Sequence, residues 1–393
     1  MSRWTTIGCG LAAALFLVAT AQLASAQLMI VGNDEKLTFD ENNKVIPQPA
    51  GKDSVSIIDI SNAAAPKIVA TLPLANSIVG PPVNLAIHPS GEIALVANSV
   101  NVEQDGGQTK NVPDDKVYII DLKANPPAVI GNVNAGKQPS GMAISPKGDL
   151  LLVCNRAEGT ISVFSIKGKD VKLVDTVSVG AANDSLSAVA ITPDGKHALA
   201  VKLVASKIAL LTIDGDKVTY DKRDLVAGVN PYNIGVTPDG KLALVANNGA
   251  GGGSDGNVDT VSVIDLEANP ARVIDHVVIG DAPEGLAISP KGDFAVALLL
   301  QGSNVDKKSF FYNSGGAAVA LKIDGKKVTK TGQVTVGGLP EGIAFSPKGD
   351  YVYIGNFMDQ DMSILKVDGD KLTDTGQRFK LPGHPASMRA GPQ

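Results

Sequence analysis

The sequence predicts an all-β fold, a seven-bladed β-propeller, and three observations carry that prediction. One phrase recurs at a near-constant period, each recurrence is spelled as four short strands, and the two chain ends together complete a unit that neither holds alone. The phrase is apolar-(Ser/Thr/His)-Pro-x-Gly. Its prolines are Pro89, Pro146, Pro193, Pro238, Pro290 and Pro347, at steps of 57, 47, 45, 52 and 57 residues. Internal periods of this size mark blades or solenoids.

Within each unit a first apolar strand, such as "GIAFS", ends in a Pro-Lys-Gly or Pro-Asp-Gly turn. A second strand follows ("YVYIGN", "LALVAN"), then an alternating third ("DTVSVIDL", "DSVSIIDI") and a fourth ("RVIDHVVIG"). Several third-to-fourth connections carry hairpin dipeptides, as in "IDGDKVT" and "IDGKKVT". No segment after residue 26 sustains a helical period over ten residues. Four antiparallel strands at this repeat length make a propeller blade.

Complete units begin at Val83, Ser140, Ser187, Tyr232, Glu284 and Glu341. The N-terminal remainder has second, third and fourth strands ("LMIVGN", "DSVSIIDI", "PKIVATLPL") and no first. The C-terminal "HPASMRA" aligns with "LPEGIAF" and stops, so it supplies the missing strand of blade 1. Pairing the ends in this way removes the open edges of a terminal blade.

Residues 1–26 read as a cleaved signal peptide: Arg3, an apolar run from Ile7 to about Ala21, then small residues Ala24 and Ala26 around Ser25. The expected cut after Ala26 leaves one domain, 27–393, in the periplasm or secreted, with no membrane insertion. The full chain carries 35 basic and 40 acidic residues, a net charge of −5, with no basic block. That balance argues against nucleic acid and anionic membranes as partners. Of the two cysteines only Cys154 survives cleavage, so no intrachain disulfide forms. In "LLLVCN" it reads as a small buried hydrophobe.

The segments "ALVAN" at 94–98 and 243–247, "YVYIGN" at 351–356 and the "SPKGD" turns resemble the YVTN-type propeller repeat. That repeat is shared by lactonase-like propellers, surface-layer proteins and haem d1-type propellers. The resemblance covers the whole mature chain and implies the fold more sharply than an activity. Asn33, Asn98, Asn155, Asn247 and Asn356 end second strands, but Lys202 and Leu299 replace them in blades 4 and 6. These asparagines read as turn chemistry.

Candidate site residues fall on the rim that carries the second-to-third-strand loops. Those loops are long in blades 1, 2, 5 and 6 (34–52, 99–115, 248–258 and 300–316), leaving blade 7 as a low point. After the inner-strand proline the ring reads Val83, Ser140, Ser187, Tyr232, Glu284, Glu341 and Ala386. Two adjacent glutamates at one channel mouth are expected to share a cation or a proton. Phe357, Asp359 and Asp361 of blade 7, the Phe310–Tyr312 aromatics of blade 6 and His384 complete the candidate set, with Tyr312 and Phe357 as an apolar wall. No Cys-x-x-Cys-His or histidine cluster is present. No cofactor is expected, apart from a divalent cation such as calcium, for which Asp255, Asn257 and Asp259 offer oxygen ligands.

These residues point first to an exported monomeric propeller that binds a small-molecule or protein ligand on the rim over blades 6, 7 and 1. The resemblance implies an alternative, a lactonase-like hydrolase with a rim carboxylate, histidine or divalent cation activating water. A propeller subunit of a redox complex is the third reading. Whether the chain is an enzyme at all stays open at this point, and the sequence singles out no catalytic residue.

Overall fold

The structure, a computed structural model, describes Met1 and residues 27–77, 82–106, 108–249 and 253–391. The expected signal peptide therefore lies, beyond Met1, outside the described residues. Seven four-stranded antiparallel sheets follow one another, with the inner strand first in each. Blade 1 is the composite: its inner strand is Pro385–Ala390, followed outward by Leu28–Asn33, Ser54–Asp59 and Lys67–Pro73. Met29 pairs with Ala390 and Val31 with Met388, so the ring closes at the chain ends as the repeat count predicts. Among the described residues the one helical element is a three-residue 3-10 turn, Ala182–Asp184. Among the described residues no helix is long and apolar enough to cross a membrane.

Second strands are continuous apolar runs because both of their faces are buried. Leu150, Leu152 and Cys154 pack into the interface of blades 3 and 4, while Leu151 and Val153 face blade 2. The same division gives each of the seven blade interfaces its own core, including blades 7 and 1 through Tyr353, Met362 and Met388. Cys154 is fully buried, and burial pushes its thiol far above the usual range, which makes it inert. Outer strands such as Lys327–Thr335 are mostly exposed and alternate in polarity.

The recurrent turn explains the recurrent phrase. In blade 3 the Ser145 hydroxyl donates to Asp149 (2.6 Å) and accepts from the Leu150 N–H (3.1 Å). Gly148 between them sits at φ +79°, which L side chains rarely adopt. His88 takes the serine's place in blade 2 and reaches instead to Gly148 O of the next blade (2.8 Å).

Candidate functional site

The terminal asparagines of the second strands are structural. Asn155 donates to Thr160 and Ser162, Asn247 to Thr260 and Ser262, and Asn356 to Asp361 and Ser363, all at 2.8–3.0 Å. Their carbonyl oxygens take link N–H groups where these point inward, as Gly136 and Gly337 do (3.0 Å each). Blade 4 breaks the pattern: Ala209 stands where the third strands of blades 1, 3, 5 and 7 carry Ser56, Ser162, Ser262 and Ser363. Lys202 instead bridges to Asp224 (3.0 Å) and the Tyr220 hydroxyl (3.2 Å).

Glu284 and Glu341 hold equivalent places on neighbouring inner strands, Pro283–Ile288 and Pro340–Phe345. They are 4% and 3% exposed, so they are not solvated rim charges. What brings them together is the following residue: a Cβ on Gly285 would lie 2.6 Å from Glu341 O, so only glycine lets the two strands approach this closely. The two carboxyl groups are close enough to shift one another's titration, and Glu341 Oε2 has no other hydrogen-bond partner among the described residues. Contact between two carboxyls requires a proton on one of them.

Burial dominates the electrostatics. It lifts Glu284 to about 7, against the hydrogen bond from Glu341, the Arg156 charge and the Asn248 amide, which all favour its ionised form. Glu341 lies well above the usual range, through burial and then the Glu284 charge. Near neutrality Glu341 is therefore the acid and Glu284 the group that titrates. Asn248 Nδ2 donates to Glu284 Oε1 at 3.1 Å. Tyr232 is buried, which raises its phenol well above the usual range, and it contacts Arg156. Round the same level Ser140 donates to Ser187 O (3.1 Å) and Ser187 to Tyr232 O (2.9 Å), linking blades 3, 4 and 5. Arg156, half-buried and held by Ser185 (Nε to Oγ, 2.7 Å), is the group of this cluster nearest solvent.

The other expected site residues are engaged in contacts of their own. Phe357 is fully buried in an apolar cap with Leu300, Leu339 and Ala386, tilted on the His384 ring at 5.0 Å and edge-on to Phe39 at 6.2 Å. It is core of that cap and not an exposed wall. His384 Nδ1 meets Glu35 Oε1 at 2.9 Å, and Nε2 meets the Gln360 amide at 2.9 Å. Burial pushes the Glu35 carboxyl up, but its bonds from His384 outweigh this and leave it below the usual range. Asp359 is exposed and caps the Gly338 N–H (2.8 Å). Tyr312 is half-buried within its own loop, and Phe310 beside it is 94% exposed. Asp255 turns its carboxylate onto Asn257, and Asp259 onto the Ala282 N–H. Among the described residues no three His, Cys, Asp or Glu side chains converge as a metal-binding group.

The low point over blade 7 is bridged. The blade 1 loop folds into a hairpin, Leu37–Phe39 with Val45–Pro47. Asn43 Nδ2 at its tip donates to Ser303 O (3.2 Å) and Val305 O (3.1 Å) of the blade 6 loop. At the base of the hairpin, buried Lys36 is clamped by Asp34, Asp53 and Asn76 O. Sequence reasoning found the glutamates by repeat alignment and missed Arg156, Tyr232 and Asn248. Tyr232 was visible in the same alignment column, but the loop residues Arg156 and Asn248 carry no repeat signal.

No protein-family model and no curated protein matches the chain. Solved structures share the fold. A periplasmic gluconolactonase of Pseudomonas aeruginosa superposes with TM-score 0.66 at 18% identity, covering 93% of this chain and 99% of that one. A putative 6-phosphogluconolactonase of Bacteroides uniformis gives 0.65 at 15% identity over 93% and 99%. Hydrazine synthase of Kuenenia stuttgartiensis gives 0.60 at 21% identity over 81% and 92%. At these identities the likeness is one of fold: the chain is a seven-bladed β-propeller of the architecture those proteins use.

Proposed function

We propose that this protein is an exported propeller that binds a small hydroxylated ligand of the sugar-lactone type at the channel mouth formed by blades 3, 5, 6 and 7. The observation that supports this best is the buried Glu284–Glu341 acid pair, flanked by Arg156, Tyr232 and Asn248. At neutral pH the pair offers donors and acceptors together, which suits hydroxyl groups. Arg156 supplies a cation for a ring carbonyl or an anionic substituent. A second reading, lactone hydrolysis, is favoured by the Glu284 value near 7, which poises it as a general base for water at physiological pH. The lactonase names among the structural neighbours lean the same way.

The test uses glucono-δ-lactone and gluconate as probes, with thermal melting for binding and a pH-stat for ring opening. At ~100 times its dissociation constant, a probe is expected to stabilise the native protein by about 2.7 kcal/mol. Glu284→Gln and Arg156→Met should abolish that gain. Ring opening above the spontaneous rate, lost in Glu284→Gln, selects the hydrolase reading. Equal gains in wild type and both variants would place binding elsewhere. For localisation, mass spectrometry of the exported protein should give a chain starting at Gln27; a cytoplasmic product retaining Met1 would remove export from the proposal.

A further inference from the structure

The far end of the channel has a different chemistry. At the fifth position of the inner strands six blades place Ala86, Ala143, Ala190, Gly235, Ala287 and Ala344, and blade 1 places Arg389. Six small residues leave space that the seventh side chain enters. Together they line a cavity of about 390 Å3, within the range of small-molecule pockets. It lies about 10 Å along the strands from the acid pair, from the rise of three residues. The remaining described lining side chains are apolar apart from Asn233, with backbone polar groups between them.

Arg389 is half-buried and makes few bonds within the described residues. Nε reaches Leu85 O at 3.5 Å, the outer limit of a hydrogen bond, while a guanidinium has five N–H donors to place. Among the described residues no carboxylate lines the cavity. Partial burial at the cavity wall lowers the Arg389 pKa. Every other inner strand manages without a charge at this position, so nothing in the propeller repeat itself calls for one.

We infer that this cavity binds a small monocarboxylate with an apolar body, its carboxylate on the Arg389 guanidinium and its hydrocarbon part against the ring of small residues. The planar fork of arginine matches a carboxylate through two parallel bonds. One cation among apolar side chains neutralises one negative charge, which disfavours a phosphate dianion. The site is separate from the acid pair and stands whether or not that pair binds lactones.

The experiment is calorimetric titration of the full mature protein with benzoate and hexanoate, each against its neutral amide, and with phenyl phosphate. At least one carboxylate is expected to bind at least about tenfold more tightly than its amide, the difference a charged hydrogen bond makes. Arg389→Gln should remove that preference. Ala287→Leu, which fills the cavity and keeps the charge, should weaken the carboxylate by a similar factor and decides the matter if Arg389→Gln does not fold. Absence of carboxylate binding, equal binding of acid and amide, or undiminished binding in the variants overturns the proposal. Tighter binding of phenyl phosphate than of benzoate overturns the carboxylate assignment.

Discussion

Removing residues 384–393 is expected to leave no folded monomer. The deletion strips the inner strand from blade 1, exposing the edge of Leu28–Asn33 along a ladder that runs from Met29 to Asn33. It also takes Met388 from the core between blades 7 and 1, and His384 from its place against Phe357. One large buried side chain is worth about 1.5–3 kcal/mol, and a whole domain holds only about 5–15. Loss of a strand with two interfaces therefore consumes most of the stability. Gly391 N–H donates to Leu28 O at 2.7 Å, so the two ends are adjacent. A permuted chain carrying 384–391 ahead of Gln27 through a short linker should fold again. Circular dichroism melting reads both, and a truncated protein that melts like wild type would mean the segment is a tail.

The acid pair should make the protein less stable as pH rises from about 4.5 to about 7. Glu284 has an ordinary value of 4.5 in the unfolded chain and about 7 in the native one. Over that interval the native state keeps a proton that the unfolded chain has released, so its advantage is complete below the lower value and gone above the upper one. The span corresponds to on the order of 3 kcal/mol. Urea unfolding at pH 5 and pH 8 measures it as the difference between wild type and Glu284→Gln, in which this component is absent. At pH 8 Glu341→Gln should stay close to wild type because the amide still donates to Glu284. Glu341→Ala should lose about 2 kcal/mol or more, since it leaves a buried carboxylate short of a donor. If the two Glu341 variants prove equally destabilised, Glu341 is not the donor.

The fold was legible because it is periodic. A second strand such as "LALVAN" reads as an unbroken apolar run for a physical reason, burial against two neighbouring blades, and that reason recurs at each interface. The Glu284–Glu341 pairing was legible by the same alignment, and the glycine after each glutamate records how close the strands come. What the repeat cannot encode is how irregular loops fold over it. Phe357 looked like a free aromatic on a low rim, but the blade 1 hairpin and the blade 6 loop meet above it and make it core. Arg156 and Asn248 enter the site from second-to-third-strand loops of different length. Arg389 stood in plain view in a column of alanines and one glycine.

Closure by the last strand also sets a timetable. Leu28–Asn33 is made first and waits for Pro385–Ala390, which is made last, so no complete ring exists until nearly the whole chain has emerged. At synthesis rates of 5–20 residues per second that wait is roughly 20–80 s. Through it the strand nearest the N-terminus has an unpaired edge, and the blade 7 core lacks its Met388 partner. The nascent chain is thus held short of its native state by its own connectivity, open throughout synthesis to whatever escorts unfolded chains.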